Sequence, residues 1–257
     1  MEAIKAIVLT YDKNRSLTDH MIFCYNKIWP KHPFCFRVPY QELYPTLNTD
    51  KVQFVKSPSD IRGTVLKLLE DLSDEDLIYW CIDDKYPIEI DVQKIESIFR
   101  WLFDRQEADS ISGLLFCRCR GMLKSENLTG KELADDQGNV LLERLNYEQI
   151  WIHQFLKVKV LRHLFNAFSG EIGKAKEMDQ LKSQVIKPLS HRLFVTRESL
   201  AVFGESSSGG VLTKNCYHNM VKEGIPLPIW AREVTVKEII MGDKRHGILA
   251  KARSKIP

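Results

Sequence analysis

The first hundred residues alternate short apolar runs with stretches in which apolar residues recur every three or four positions. That is the pattern of buried strands joined by amphipathic helices. Ala6 to Leu9 reads as a first strand ending at Thr10-Tyr11-Asp12. Leu17, Met21, Cys24 and Ile28 predict the helix that follows, with Ser16 as its cap, Asp19 three residues on and Pro30 as its stop. Phe34 to Val38, closed by Pro39, and Val52 to Val55 read as the second and third strands. Ser57-Pro58-Ser59-Asp60 reads as a helix start, with a capping serine, proline at the first helical position and an acid at the third. Ile61, Val65, Leu68, Leu69 and Leu72 form that helix's buried stripe. Leu77 to Ile82 is the longest apolar run in this half and is expected to be a central strand, stopping at Asp83-Asp84-Lys85. Asp91 opens a helix with Val92, Ile95, Phe99 and Leu102 inward, before a strand over Ile111 to Cys117. The fold class that follows is α/β, with a mainly parallel sheet flanked by helices.

The second half is less regular. Lys124 to Val140 carries Gly130, Asp135-Asp136 and Gly138-Asn139 and reads as loop with room for a hairpin. Tyr147 to Phe165 has a helical pattern, although its apolar residues wrap more than one face. Arg192 to Thr196 reads as a short strand and Glu205 to Gly210 as a flexible turn. A helix from Thr213 to Lys222 is ended by Gly224 and Pro226. The expected organisation is one domain over 1–232, with a front half to residue 120 and an irregular back half from 121, followed by a basic tail at 233–257.

Composition adds exclusions. The 257 residues are 44% hydrophobic and 28% charged, enough for one large core. The formal charge of +3 gives no chain-wide case for nucleic acid. Lys244, Arg245, Lys251, Arg253 and Lys255 account for it, since the remainder has 32 basic and 34 acidic residues. Such a tail is either a solvated end or a hold on anionic lipid. Six cysteines without a Cys-x-x-Cys pair read as reduced thiols. The start lacks a signal-peptide pattern and no uncharged run approaches a membrane span, so the expected location is cytoplasmic, with peripheral contact to the inner membrane face left open.

In open α/β sheets, ligands bind beyond the carboxyl ends of the strands. Three polar clusters fall there: Thr10-Tyr11-Asp12, Lys56-Ser57 and Asp83-Asp84. Adjacent carboxylates ending an apolar strand are either a solvated turn or a site for a cation, and oxygen ligands favour Mg²⁺ or Mn²⁺. There is no Gly-x-Gly-x-x-Gly after the first strand, no P-loop and no Gly-x-Ser-x-Gly elbow. These absences argue against a dinucleotide-dependent enzyme, a P-loop triphosphatase and an α/β hydrolase.

These residues resemble the GT-A glycosyltransferases, which bind a nucleotide-sugar through a metal held by a DXD-type motif. The likeness runs over about residues 3 to 228 and is carried by Ser57 to Pro87, above all by Ile82-Asp83-Asp84-Lys85-Tyr86, similar to bacterial members whose strand ends in Leu/Ile-Asp-Asp. Gln149, Trp151 and Gln154, then Glu177 and Asp179, then Gly209-Gly210 follow in those relatives' order. The resemblance implies transfer of a sugar from a nucleotide-sugar donor to a saccharide or lipid-linked acceptor in cell-surface polysaccharide or glycolipid assembly, with inversion preferred. Thr10, Tyr11, Asp12 and Arg15 would meet base and ribose, with Lys56 and Ser57 beside them, and Asp83 and Asp84 would hold Mn²⁺ or Mg²⁺. Lys214 would face the diphosphate and His218 the metal or phosphates. Glu177 or Asp179 would be the general base, unless both belong to a charged helix face. Lys85 departs from the pattern; by neutralising the acids it would weaken dependence on metal. A catalytically inert nucleotide-binding module and a sugar-nucleotide pyrophosphorylase are the alternatives.

Overall fold

Residues alternate between two cores along each central strand. Ala6 and Val8 of β1 (Ile4–Leu9) pack into one apolar cluster and Ile7 and Leu9 into another. The same alternation separates Tyr79 and Cys81 of β4 (Leu77–Ile82) from Ile78 and Trp80. A sheet apolar on both faces must be covered on both. In the computed structural model, which describes residues 3–43, 51–104, 110–117, 125–168, 175–232 and 240–242, helices do this. On one face lie α1 (Arg15–Ile28), α3 (Val92–Asp104) and α6 (Lys214–Lys222), through residues such as Met21, Phe99 and Met220. On the other lie α2 (Ile61–Leu68), α4 (Val158–Ala167) and α5 (Ala175–Lys182), through Val65, Leu161 and Met178.

The nine-stranded sheet has the order β3-β2-β1-β4-β9-β6-β10-β8-β7. Its first four strands, with β2 at Phe34–Tyr40 and β3 at Val52–Lys56, are parallel as expected. Beyond them, β9 (Gln154–Lys157) runs antiparallel between β4 and β6 (Ile111–Leu115). β6 pairs in parallel with β10 (Arg192–Thr196). The hairpin of β7 (Leu128–Ala134) and β8 (Val140–Arg144) closes the edge. A smaller sheet joins β5 (Lys85–Ile90), β11 (Ala201–Glu205) and β14 (Ile240–Met241). β12 (Ser207–Ser208) and β13 (Val211–Leu212) form a tight hairpin.

Several sequence expectations are corrected. The helix expected over 147–165 is a turn, then β9, then α4. Its two-faced apolar pattern belongs to a strand: Phe155 enters one core and Leu156 the other. Ser16 does not cap α1, which starts one residue earlier after a 3-10 turn over Asp12–Asn14. Ser57 does not cap α2 either; Asp60 does, accepting from the Gly63 N–H at 2.7 Å. Residues 205–210 are the end of β11 and the β12–β13 hairpin, with Gly209 and Gly210 at positive φ in its tip. β5 follows Asp84 directly, where no strand was expected. The tail at 233–257 lies outside the described residues except for 240–242.

Candidate functional site

The chain leaves β1 outward to β2 and β3, then returns to place β4 on β1's other side, so a topological switch point lies between β1 and β4. Ligand crevices form at such points because the flanking connections splay apart. The register pairs Leu9 with Ile82, which sets Thr10 opposite Asp83 at the carboxyl ends of both strands. Asp83 is buried, at 6% exposure. The Thr10 hydroxyl donates to Asp83 Oδ2 at 2.7 Å, and the Thr18 hydroxyl donates to Thr10 at 2.8 Å. Burial, with the neighbouring Asp84 charge, pushes the Asp83 carboxyl up to about 7, against the pull of hydrogen bonds from Thr10 and Asn14.

The Thr10-Tyr11-Asp12 and Lys56-Ser57 clusters meet through Gln41, which sequence reasoning missed. Asp12 Oδ2 accepts the backbone N–H groups of Glu42 and Leu43 at 2.8 and 3.0 Å, and its carboxylate also accepts that of Gln41. These bonds and Arg15 outweigh burial and hold the Asp12 carboxyl below its usual range. The Asp12 N–H donates to Gln41 Oε1, and Gln41 Nε2 donates to the Ser57 hydroxyl at 3.1 Å. Arg15 donates to the Pro39 carbonyl and stacks on Phe54. Asp12, Arg15 and Ser57 thus tie the ends of β1, β2 and β3 together, while Lys56 is exposed beside them. The Tyr11 hydroxyl is buried without a partner, and burial near Asp83 and Asp60 pushes it up to about 12.

On the other side of Asp83 the chain turns into β5. Lys85 is buried, and its Nζ lies 2.9 Å from Asp84 Oδ2 and 3.2 Å from Glu205 Oε1. Burial disfavours the ammonium, but Asp84 and Glu205 outweigh it and raise the Lys85 pKa. Ser206 donates its N–H to the Asp84 carbonyl at 2.6 Å, and Thr213 donates its N–H to the Ser206 carbonyl at 2.9 Å. These bonds place the start of α6 two links from Asp84. Thr213 spends its hydroxyl on the Glu205 carbonyl and makes no side-chain cap, so the positive end of α6 has none. The Ser206 hydroxyl is buried without a partner.

Part of what Asp83 and Asp84 could offer a divalent ion is already engaged. Asp83 Oδ2 accepts from Thr10 and Asp84 Oδ2 pairs with Lys85, while Asp84 Oδ1 is buried without a hydrogen-bond partner. His218 is exposed on α6, and the structure does not group it with Asp83 and Asp84. Among the described residues no three His, Cys, Asp or Glu side chains are arranged to hold a metal.

The remaining candidates divide. Lys214 is exposed at the first turn of α6. Glu177 is exposed in the first turn of α5. Asp179 Oδ1 pairs with Lys182 at 2.6 Å and accepts from Trp151 Nε1 at 2.9 Å. Lys182 first, then Trp151, hold its carboxyl below the usual range against some burial. The structure joins neither acid to the Thr10–Asp83–Lys85 cluster. Gln154 is buried in β9, accepting from Arg144 at 2.8 Å and donating to the carbonyls of Gln149 and Ile152. His153 is buried between Tyr25 and the Ile82 carbonyl. Thr18, Gln41, Glu205 and Ser206 carried no motif signal; only the pairing of distant strands reveals them.

No protein-family profile and no curated protein matches the chain. Among solved structures it is similar to a 4-diphosphocytidyl-2C-methyl-D-erythritol synthase from Anaerococcus prevotii, at 9% identity and a TM-score of 0.42, covering 87% of this chain and 96% of that one. It is also similar to the galactosyltransferase LgtC in complex with donor and acceptor sugar analogues, at 13% identity and a TM-score of 0.38, over 72% and 67% of the two chains. A third is the Francisella tularensis 2-C-methyl-D-erythritol 4-phosphate cytidylyltransferase, at 10% identity and a TM-score of 0.39, over 77% and 93%.

Proposed function

We propose that this protein is a nucleotide-binding transferase of the GT-A type that moves a sugar from a nucleotide-sugar to a saccharide or lipid-linked acceptor. The observation that carries this reading is the convergence at the β1–β4 switch point of Thr10, Asp83, the Asp84–Lys85–Glu205 ion pairs and the uncapped start of α6. A helix end and an ammonium beside a strand terminus favour a diphosphate there, and the loops tied by Asp12 and Gln41 supply polar walls for base and ribose. Asp83, Thr10, Tyr11, Arg15, Ser57, Lys56 and Lys214 are the donor-site residues of this proposal. Inverting transfer calls for a carboxylate to take the acceptor proton, and Glu177 is assigned that role because Asp179 is committed to Lys182 and Trp151.

A thermal-shift panel of nucleoside diphosphates tests the reading. At least one base should raise the melting temperature, and replacing both Asp83 and Asp84 by Ala should remove the rise. No response to any base sinks the proposal. Glu177→Gln should leave nucleotide stabilisation intact while lowering turnover by ~100-fold or more. The Lys85 ion pairs favour one second reading, a nucleotide-binding module without turnover. Hydrolysis of a nucleotide-sugar in the absence of acceptor excludes it.

A further inference from the structure

We propose that the Lys85 ammonium, clamped between Asp84 and Glu205, is the resident cation of this cleft, so that a nucleoside diphosphate binds there without a divalent ion. The inference rests on the nucleotide reading for its ligand and on side-chain geometry for its cation.

Lys85 is held by backbone as much as by charge. It follows Asp84 in the chain and sits in register with Glu205 on the neighbouring strand β11, so both carboxylates are brought to it by fixed elements. Its Nζ is 2.9 and 3.2 Å from them, and its side chain is 8% exposed. An ammonium has three N–H donors, so two carboxylates leave one for a phosphate oxygen. A divalent ion at Asp84 would have to share that carboxylate with a cation already buried against it. Moving Lys85 off Asp84 would leave a buried ammonium with Glu205 alone, and a buried charge that loses a partner is strongly disfavoured. Asp83 is buried and already accepts from Thr10 and Asn14, so it is the less accessible of the two acids. The cation that a metal would set against Asp84, Lys85 sets there through the covalent chain, with one N–H left for a phosphate oxygen.

Two measurements test this. The first titrates Mn²⁺ and follows the free-ion signal by electron paramagnetic resonance, with no nucleotide present. Wild type and Lys85→Arg should leave the signal unchanged, Lys85→Met should take up Mn²⁺, and Lys85→Met combined with Asp84→Asn should take up none. Uptake by wild type that is lost in Asp84→Asn overturns the assignment, as does a folded Lys85→Met that takes up nothing. The second compares the melting-temperature rise given by the nucleoside diphosphates in EDTA and in Mn²⁺. Wild type should respond equally in both, and Lys85→Met should bind at least ~10-fold more weakly in EDTA, with part of the loss restored by Mn²⁺. A wild-type response that appears only with Mn²⁺ overturns the Lys85 inference alone. No response in either buffer overturns the nucleotide reading and this consequence with it.

Discussion

Asp83 shows why a residue's neighbours decide its chemistry. As one of two adjacent acids it is a natural anion; buried opposite Thr10 its carboxyl titrates near neutrality, at about 7. Between its unfolded value of about 4 and this folded value the native state holds the proton and the unfolded state does not. The associated stability is therefore complete below about pH 4 and is lost as the pH rises through about 7. Asp83→Asn, which cannot ionise, should gain on wild type as pH rises: near pH 8 its urea midpoint should be higher by the equivalent of ~1–3 kcal/mol, and the gain should vanish by pH 4. A gap between the two proteins that is independent of pH would contradict this account. The acid pair itself was legible, because two carboxylates ending an apolar run stand out in any reading. That one acid would be sealed by Thr10 and the other taken by Lys85 was not, because those bonds depend on strand register and on β11.

Among the elements, β9 is the one whose residues misled. Read together with α4, its apolar residues carry a helical rhythm on paper, but Phe155 and Leu156 of this short strand fill opposite cores between β4 and β6, and two adjacent apolar residues do not tell strand from helix. What the strand and the turn before it position is polar and internal. The Ile82 carbonyl can only accept, so His153 Nε2 carries the proton. Burial pushes the His153 pKa down to about 3, leaving a neutral ring whose Nδ1 accepts from the Tyr25 hydroxyl at 2.7 Å. Tyr25 must then accept from the Tyr79 hydroxyl, 2.9 Å away. The chain Tyr79 to Tyr25 to His153 to Ile82 links α1 and β4 directly behind Asp83. Tyr25→Phe leaves both His153 Nδ1 and the Tyr79 hydroxyl without these partners in the buried core. It should cost ~2–4 kcal/mol in equilibrium unfolding, and Tyr79→Phe, which removes only the last donor, should cost less. Equal losses would mean that the hydroxyls do not act as a directed chain.

At the scale of the whole molecule, the central sheet leaves little room at its crossing points. Gly113 of β6 lies against Leu156 and Leu193, and an added Cβ would stand 2.6 and 2.8 Å from their Cδ2 atoms and 3.1 Å from the Phe155 carbonyl. Gly113→Ala should destabilise by ~1–3 kcal/mol, read from the urea midpoint, because two leucines from neighbouring strands would both have to move. The cores also set a pH response. Burial lowers the pKa values of His20, His32 and His191 to about 4 and that of His153 to about 3. Between those values and about 6.5 the unfolded chain binds more protons, so the histidine contribution to stability rises with pH and is lost as pH falls through that window. Asp83 and Asp19, the latter raised to about 6 by burial, act in the opposite sense. With four histidines against two carboxyls, the urea midpoint should fall as the pH is lowered from 6.5 to 4.5; a rise would show that the two acids dominate.

By itself the sequence determined the α/β class, the strands β1 to β4 and the three polar clusters at their ends, because burial alternation and apolar stripes are local properties of the chain. Only the tertiary structure decided which of those clusters meet. It inserted β9 antiparallel beside β4, turned the chain after Asp84 into a second sheet, and set Glu205 across from Lys85, roughly 120 residues away in the chain. Such pairings depend on the energy of whole strands in register, which no short window of residues contains. The acids at the end of β4 were visible from the start; the cation that answers them became visible only when β5 and β11 were side by side.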